Sequence, residues 1–107
     1  MSHTLARIID LVRREEVRVS DHGYEELSAD GIFFRDLVDE IEKARLIEDY
    51  PDYPKGPCVL VLEKDRDGNP VHAVWGIPRN ADGPAVLVTA YRPDPAKWGE
   101  GFTRRKK

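Results

Sequence analysis

Cys58-Val59-Leu60-Val61-Leu62-Glu63-Lys64, then Asp65-Arg66-Asp67-Gly68-Asn69-Pro70, then Val71-His72-Ala73-Val74-Trp75-Gly76-Ile77 decide the fold. Two apolar runs of strand length flank six turn-forming residues, the pattern of neighbouring strands in a sheet. The first run is almost unbroken, as in a central strand covered on both faces. Downstream, residues 78–84 form a second turn and residues 85–91 a last strand. Upstream, residues 46–50 alternate weakly as a further strand, and residues 51–57, with three prolines, make a stiff loop.

The amino-terminal half has a different period. Leu5, Ile8, Ile9 and Val12 follow the spacing of a helix with one buried stripe, capped by Ser2 or Thr4. Val17-Arg18-Val19 is short enough to be an edge strand or a linker. Ser20-Asp21 opens a second helix with Tyr24 and Leu27 on its apolar side. Gly31 ends it as a left-handed C′ residue, with Ile32 folding back onto Leu27. Phe34, Leu37, Val38, Ile41 and Ala44 define a third helix, whose outer side carries Asp36, Asp39, Glu40, Glu42 and Lys43. Helices first and a strand meander after them predict an α+β fold. The helices pack on one face of a mostly antiparallel, three- to four-stranded sheet.

Plain hairpins would pair Lys64 with Val71 and Ile77 with Ala85. Alternation then puts Leu60, Leu62, Ala73, Trp75, Leu87 and Thr89 on one face, and Glu63, His72, Ala90 and Arg92 on the other. A one-residue slip would scramble that grouping.

The 107 residues suit one domain. They divide into an extra helix over 1–16, a core over 17–98 and a basic tail over 99–107. The 40% hydrophobic and 35% charged composition is that of a globular chain. Net charge is -3, but four of the 17 basic residues lie at positions 104–107. The rest carries 13 basic against 20 acidic residues, so the body is acidic. This argues against tight, nonspecific nucleic-acid binding. The short basic run is expected to be solvated. One cysteine permits no internal disulfide, and no apolar stretch is long enough to span a membrane, so a cytoplasmic chain is expected.

Chemistry is carried by few residues. His72, with Glu63 and Arg92 on its face, has the surroundings of a general acid or base; the plainer reading is a strand histidine bonded across the sheet. His22, in the first turn of a helix, is expected neutral, as a base or anion contact, or as a packing residue beside Tyr24. Arg92 before Pro93 is extended, and its guanidinium can hold phosphate or pair with the acidic helix face; Tyr91 beside it is a proton donor or a rim residue. His3, His22 and His72 lack metal-ligand spacing, and no glycine-rich phosphate loop or nucleophile elbow occurs, so neither cofactor nor metal is expected.

Ser20-x-His22, Leu27, Gly31-Ile32, Ile47-Glu48-Asp49-Tyr50-Pro51, Gly56-Pro57, Asp67-Gly68-x-Pro70-x-His72 and Thr89-Ala90-Tyr91-Arg92-Pro93 with Trp98 beyond form an ordered set. From Val17 to Trp98 the chain resembles the bacterial family called domain of unknown function 4258. The resemblance implies a compact domain similar to the RelE/ParE-type toxin fold, related to metal-independent ribonucleases, with His22, His72, Tyr91 and Arg92 as the site. Two features depart from it: Asp30 stands where the family commonly has a basic residue, and the body is acidic. Two main functions follow. In a ribonuclease-like toxin, His22 or His72 would take the 2′-hydroxyl proton while Arg92 stabilises the phosphorane. In a non-catalytic interaction module, a second copy or a small protein would dock, with Trp75, Trp98, Tyr50 and Tyr53 as aromatic anchors. A metal-dependent hydrolase is the third and weakest reading.

Overall fold

A computed structural model describes residues 2–99 and 101–105. The order is α1 (His3–Arg13), β1 (Val17–Val19), α2 (Asp21–Asp30), α3 (Phe34–Glu40), a short 3-10 turn (Ile41–Lys43), β2 (Arg45–Tyr50), β3 (Cys58–Lys64), β4 (Pro70–Gly76) and β5 (Ala85–Tyr91). The sheet has five strands in the order β1-β5-β4-β3-β2. It is mixed, because β1 runs parallel to β5 while the other neighbours are antiparallel.

The α+β expectation holds, but three to four strands become five. Val17-Arg18-Val19, left open between edge strand and linker because three residues are too few to show a period, is the edge strand β1. Its ladder partner lies at the far end of the chain, Val17 opposite Ala85 and Val19 opposite Leu87. The helix caps are where the sequence places them. Ser2 Oγ accepts from the Leu5 N–H at 3.1 Å, and Ser20 Oγ from the Gly23 N–H at 2.9 Å. Ser20 Oγ also donates to the Val88 carbonyl at 2.9 Å, which ties the start of α2 to β5. Gly31 closes α2 at φ 64°, and the Ile32 N–H donates to the Leu27 carbonyl at 2.9 Å.

All three helices cover one side of the sheet. Leu5, Ile8, Leu11 and Val12 of α1, Leu27 of α2, and Leu37 with Ile41 meet Val59, Val61, Val71, Ala73, Trp75, Leu87 and Ala90 in a single core. Burying each large aliphatic there contributes about 1.5–3 kcal/mol. Tyr24, expected on the inner stripe of α2, is 65% exposed. Asp36, expected outside, is buried and bonded to Arg66 at 2.9 Å. Arg66 also lies over the Phe33 ring at 4.3 Å.

The strand register differs from the plain-hairpin expectation. Lys64 pairs with Pro70 rather than Val71, so Glu63 faces Val71 and Leu62 faces His72. The cause is Asp65. Its Oδ1 accepts from the N–H groups of Asp67 and Asn69, both at 2.9 Å, and its own N–H donates to the Asn69 carbonyl at 3.0 Å. That Asx-type turn consumes five residues and starts the next strand at Pro70. Glu63 therefore turns to the helix side with Trp75, while Leu60 and Leu62 turn to the other. A second shift comes from a bulge between Leu87 and Thr89. It sets Ala90 opposite Ala73 on the helix side and Tyr91 opposite His72 on the other.

Candidate functional site

The sheet side that faces away from the helices has two halves. Residues 93–99 and 101–105 fold back as a C-terminal strap over one half. Trp98 bridges to Arg105, and the Gly99 N–H donates to the Arg104 carbonyl at 2.7 Å. Arg105 anchors the strap to β2 through a two-pronged contact with Glu48, at 3.0 and 3.2 Å, and lies over the Trp98 ring at 5.1 Å. The basic run expected to be solvated is therefore engaged at Arg105; Lys106 and Lys107 lie outside the described residues.

Under the strap lies His72, with no solvent exposure. Its Nε2 lies 2.7 Å from the Phe102 carbonyl, which only accepts, so Nε2 carries the proton and donates. Nδ1 is then free to accept from the Tyr91 hydroxyl at 3.3 Å. The ring meets Tyr91 and Trp98 edge-on, with centroids 5.4 and 4.3 Å away. Burial lowers the imidazole pKa against the opposing hydrogen bond to Phe102, and Arg105 lowers it further. Burial also raises the Tyr91 hydroxyl. This is a neutral, fully bonded histidine.

Of the four residues singled out in the sequence, the fold brings together His72 and Tyr91. Arg92, the next residue along, turns to the helix side. Its backbone N–H donates to Asp30 Oδ2 at 3.0 Å, its Nε to the Asp30 carbonyl at 3.2 Å, and its Nη1 lies 3.0 Å from Asp65 Oδ2. Arg92 thus ties the end of α2 to the β3–β4 turn, the ion-pair role weighed against phosphate binding. Asp30, the departure from the family pattern, is one of its partners. His22 stands 65% exposed at the start of α2, 3.7 Å from Glu26, and shares no partner with His72 or Arg92.

Glu63, expected on the same face as His72, lies on the helix side instead, and its burial is what sequence reading missed. It is buried beside Trp75, whose Nε1–H donates to Glu63 Oε1 at 2.7 Å, while Oε2 has no partner. Desolvation raises its carboxyl pKa to about 8, offset by the Trp75 hydrogen bond and reinforced by Glu40. Its position two residues beyond Val61 in an apolar run was the available signal. Trp75 and Trp98 are both buried, so neither is an exposed anchor, whereas Tyr50 and Tyr53 are. Among the described residues no group of three His, Cys, Asp or Glu side chains could hold a metal ion, and no helix is long and apolar enough to cross a membrane.

The other half of this sheet side is open. Leu60, Val74 and Val86 floor an apolar trough of 510 Å³, bounded by Tyr50, Tyr53 and Val88. Cys58 lies in it half-buried, its thiol raised by burial and by Asp49.

The architecture is thus a two-layer α+β domain with one sheet face divided between strap and trough. The family model described as Domain of unknown function (DUF4258) matches residues 19–92, and the chain belongs to that family. No curated protein and no solved structure matches it. His22, His72, Tyr91 and Arg92 all fall within the matched segment, while the strap lies beyond it.

Replacing Trp98 with alanine should detach the strap without unfolding the sheet. We expect a loss of about 2 kcal/mol, below the usual figure for a core tryptophan because the segment is peripheral. The His72 pKa should rise toward its ordinary value near 6.5. An NMR titration of the ring that matches wild type would show that Trp98 is not what seals it.

Proposed function

We propose that this chain is a non-catalytic binding module, working in the cytoplasm, whose surface is the open half of the sheet. One observation carries the reading: His72 and Arg92, two of the groups suited to catalysis, are already occupied, and the exposed His22 stands apart from both. His72 spends both ring nitrogens on Tyr91 and Phe102, and Arg92 is held by Asp30 and Asp65. The unoccupied surface is apolar. The order of helices followed by a largely antiparallel meander supports a fold of the RelE/ParE type, and fold alone carries no activity.

The second reading, a metal-independent ribonuclease-like toxin, is favoured by the pairing of His72 with Tyr91. With His72 as the base it requires the strap to lift, because a general base must reach its proton within hydrogen-bond distance. The purified chain is expected to leave a structured RNA and a messenger RNA intact, with no growth defect on expression. Cleavage by the wild type that disappears in His72→Ala would replace the first reading with the second.

A further inference from the structure

The trough crosses the open sheet face from Tyr50 on β2 to Val88 on β5. Its walls are rigid. The Ile77 N–H donates to the Pro57 carbonyl at 3.0 Å and the Arg79 N–H to the Lys55 carbonyl at 3.1 Å, so the loops at residues 51–57 and 78–84 brace each other. Its volume of 510 Å³ falls in the range of small-molecule sites, roughly 300–1,000 Å³.

Charge narrows the occupant. The chain has 20 acidic residues, yet among the described residues no carboxylate lines the trough. Among the described residues the one charged side chain there is Lys55, and it forms no ion pair with any of them. Area narrows it further. Four strands about 4.8 Å apart and some 10 Å of strand length give an open patch of about 200 Å². A stable protein interface takes about 800 Å² from each partner. The strap already fills the rest of the face.

We infer that the trough binds a small molecule with an apolar or aromatic body and one anionic head group, the body lying on Leu60, Val74 and Val86 and the head meeting Lys55. This rests on the binding-module reading and names its ligand class.

Two dyes of similar shape test it on the full chain: anilinonaphthalene sulfonate, which is anionic, and neutral phenylnaphthylamine. Both should bind saturably at one site per chain by fluorescence titration. Lys55→Gln should weaken the sulfonate about five- to tenfold and leave the neutral dye within about twofold. Val74→Trp, which fills the floor, should abolish both. Should that variant fold poorly, Val88→Glu at the exposed rim should weaken the sulfonate selectively, with the melting temperature unchanged. Absence of saturable binding overturns the proposal, as does equal binding of both dyes to wild type and Lys55→Gln. A dimer by light scattering that Val74→Trp dissociates also overturns it, because a second copy then covers the trough. These failures leave the non-catalytic reading standing; His72-dependent RNA cleavage would remove that reading while leaving the dye results unaffected.

Discussion

Glu63→Gln is expected to match the wild type within about 1 kcal/mol at pH 5 and to exceed it by roughly 3–4 kcal/mol at pH 8. The carboxyl ionises near 4.5 in the unfolded chain and near 8 in the folded one. Below 4.5 both states are protonated and no penalty exists. As pH rises from 4.5 to 8 the unfolded chain releases its proton and the folded chain does not, so stability falls throughout that window. Glutamine keeps an oxygen for the Trp75 N–H and has no proton to release, at the cost of a buried amide that lacks an acceptor. His72 acts with the opposite sign. Its lowered pKa gives stability that is present above about 6.5 and lost as pH falls. That contribution is common to both proteins and cancels in their difference. Urea unfolding at the two pH values gives the comparison; a stability gap that does not change with pH would show that Glu63 is not held protonated by the fold.

Gly56→Ala should cost about 3–5 kcal/mol, a large share of the 5–15 kcal/mol that holds a domain of this size together. Two effects combine. Gly56 sits at φ 129°, where an L side chain is strained by about 1–3 kcal/mol. A Cβ there would lie 2.0 Å from the Ile77 carbonyl oxygen and 2.8 Å from the Arg79 nitrogen, both backbone atoms that cannot step aside. Gly68→Ala isolates the first effect, since it has φ 80° and nothing within 4 Å of the added atom. It should cost only about 1 kcal/mol. Equal midpoints for the two variants in chemical denaturation would remove the steric half of the explanation.

Much of this fold is legible in the chain because its signals are local. Ser2, Ser20 and Gly31 mark helix ends through side-chain oxygen and backbone freedom, and the structure uses each of them so. The meander from β2 to β5 is legible for the same reason. What escapes is whatever depends on how a turn is wired. Asp65 tightens the β3–β4 connection by one residue, and that single step exchanges Glu63 for Leu62 across the sheet. The bulge beside Val88 does the same for Ala90, leaving Tyr91 rather than Ala90 opposite His72. Of the residues grouped around His72 from the sequence, Glu63 and Arg92 therefore lie elsewhere and Tyr91 takes their place. The cover of this site was illegible for another reason: Trp98 and Phe102 reach His72 through a backbone carbonyl and an edge contact, neither of which leaves a periodic trace.

The parallel ladder between β1 and β5 also governs how the molecule is made. Val17 precedes by most of the domain the strand it must lie beside, which begins at Ala85. Until the two meet the apolar stripes of α1 and α2 have no completed sheet to cover, and a contact so distant along the chain is slow to form. The β1–β5 ladder is therefore expected to be among the last contacts made when the domain folds.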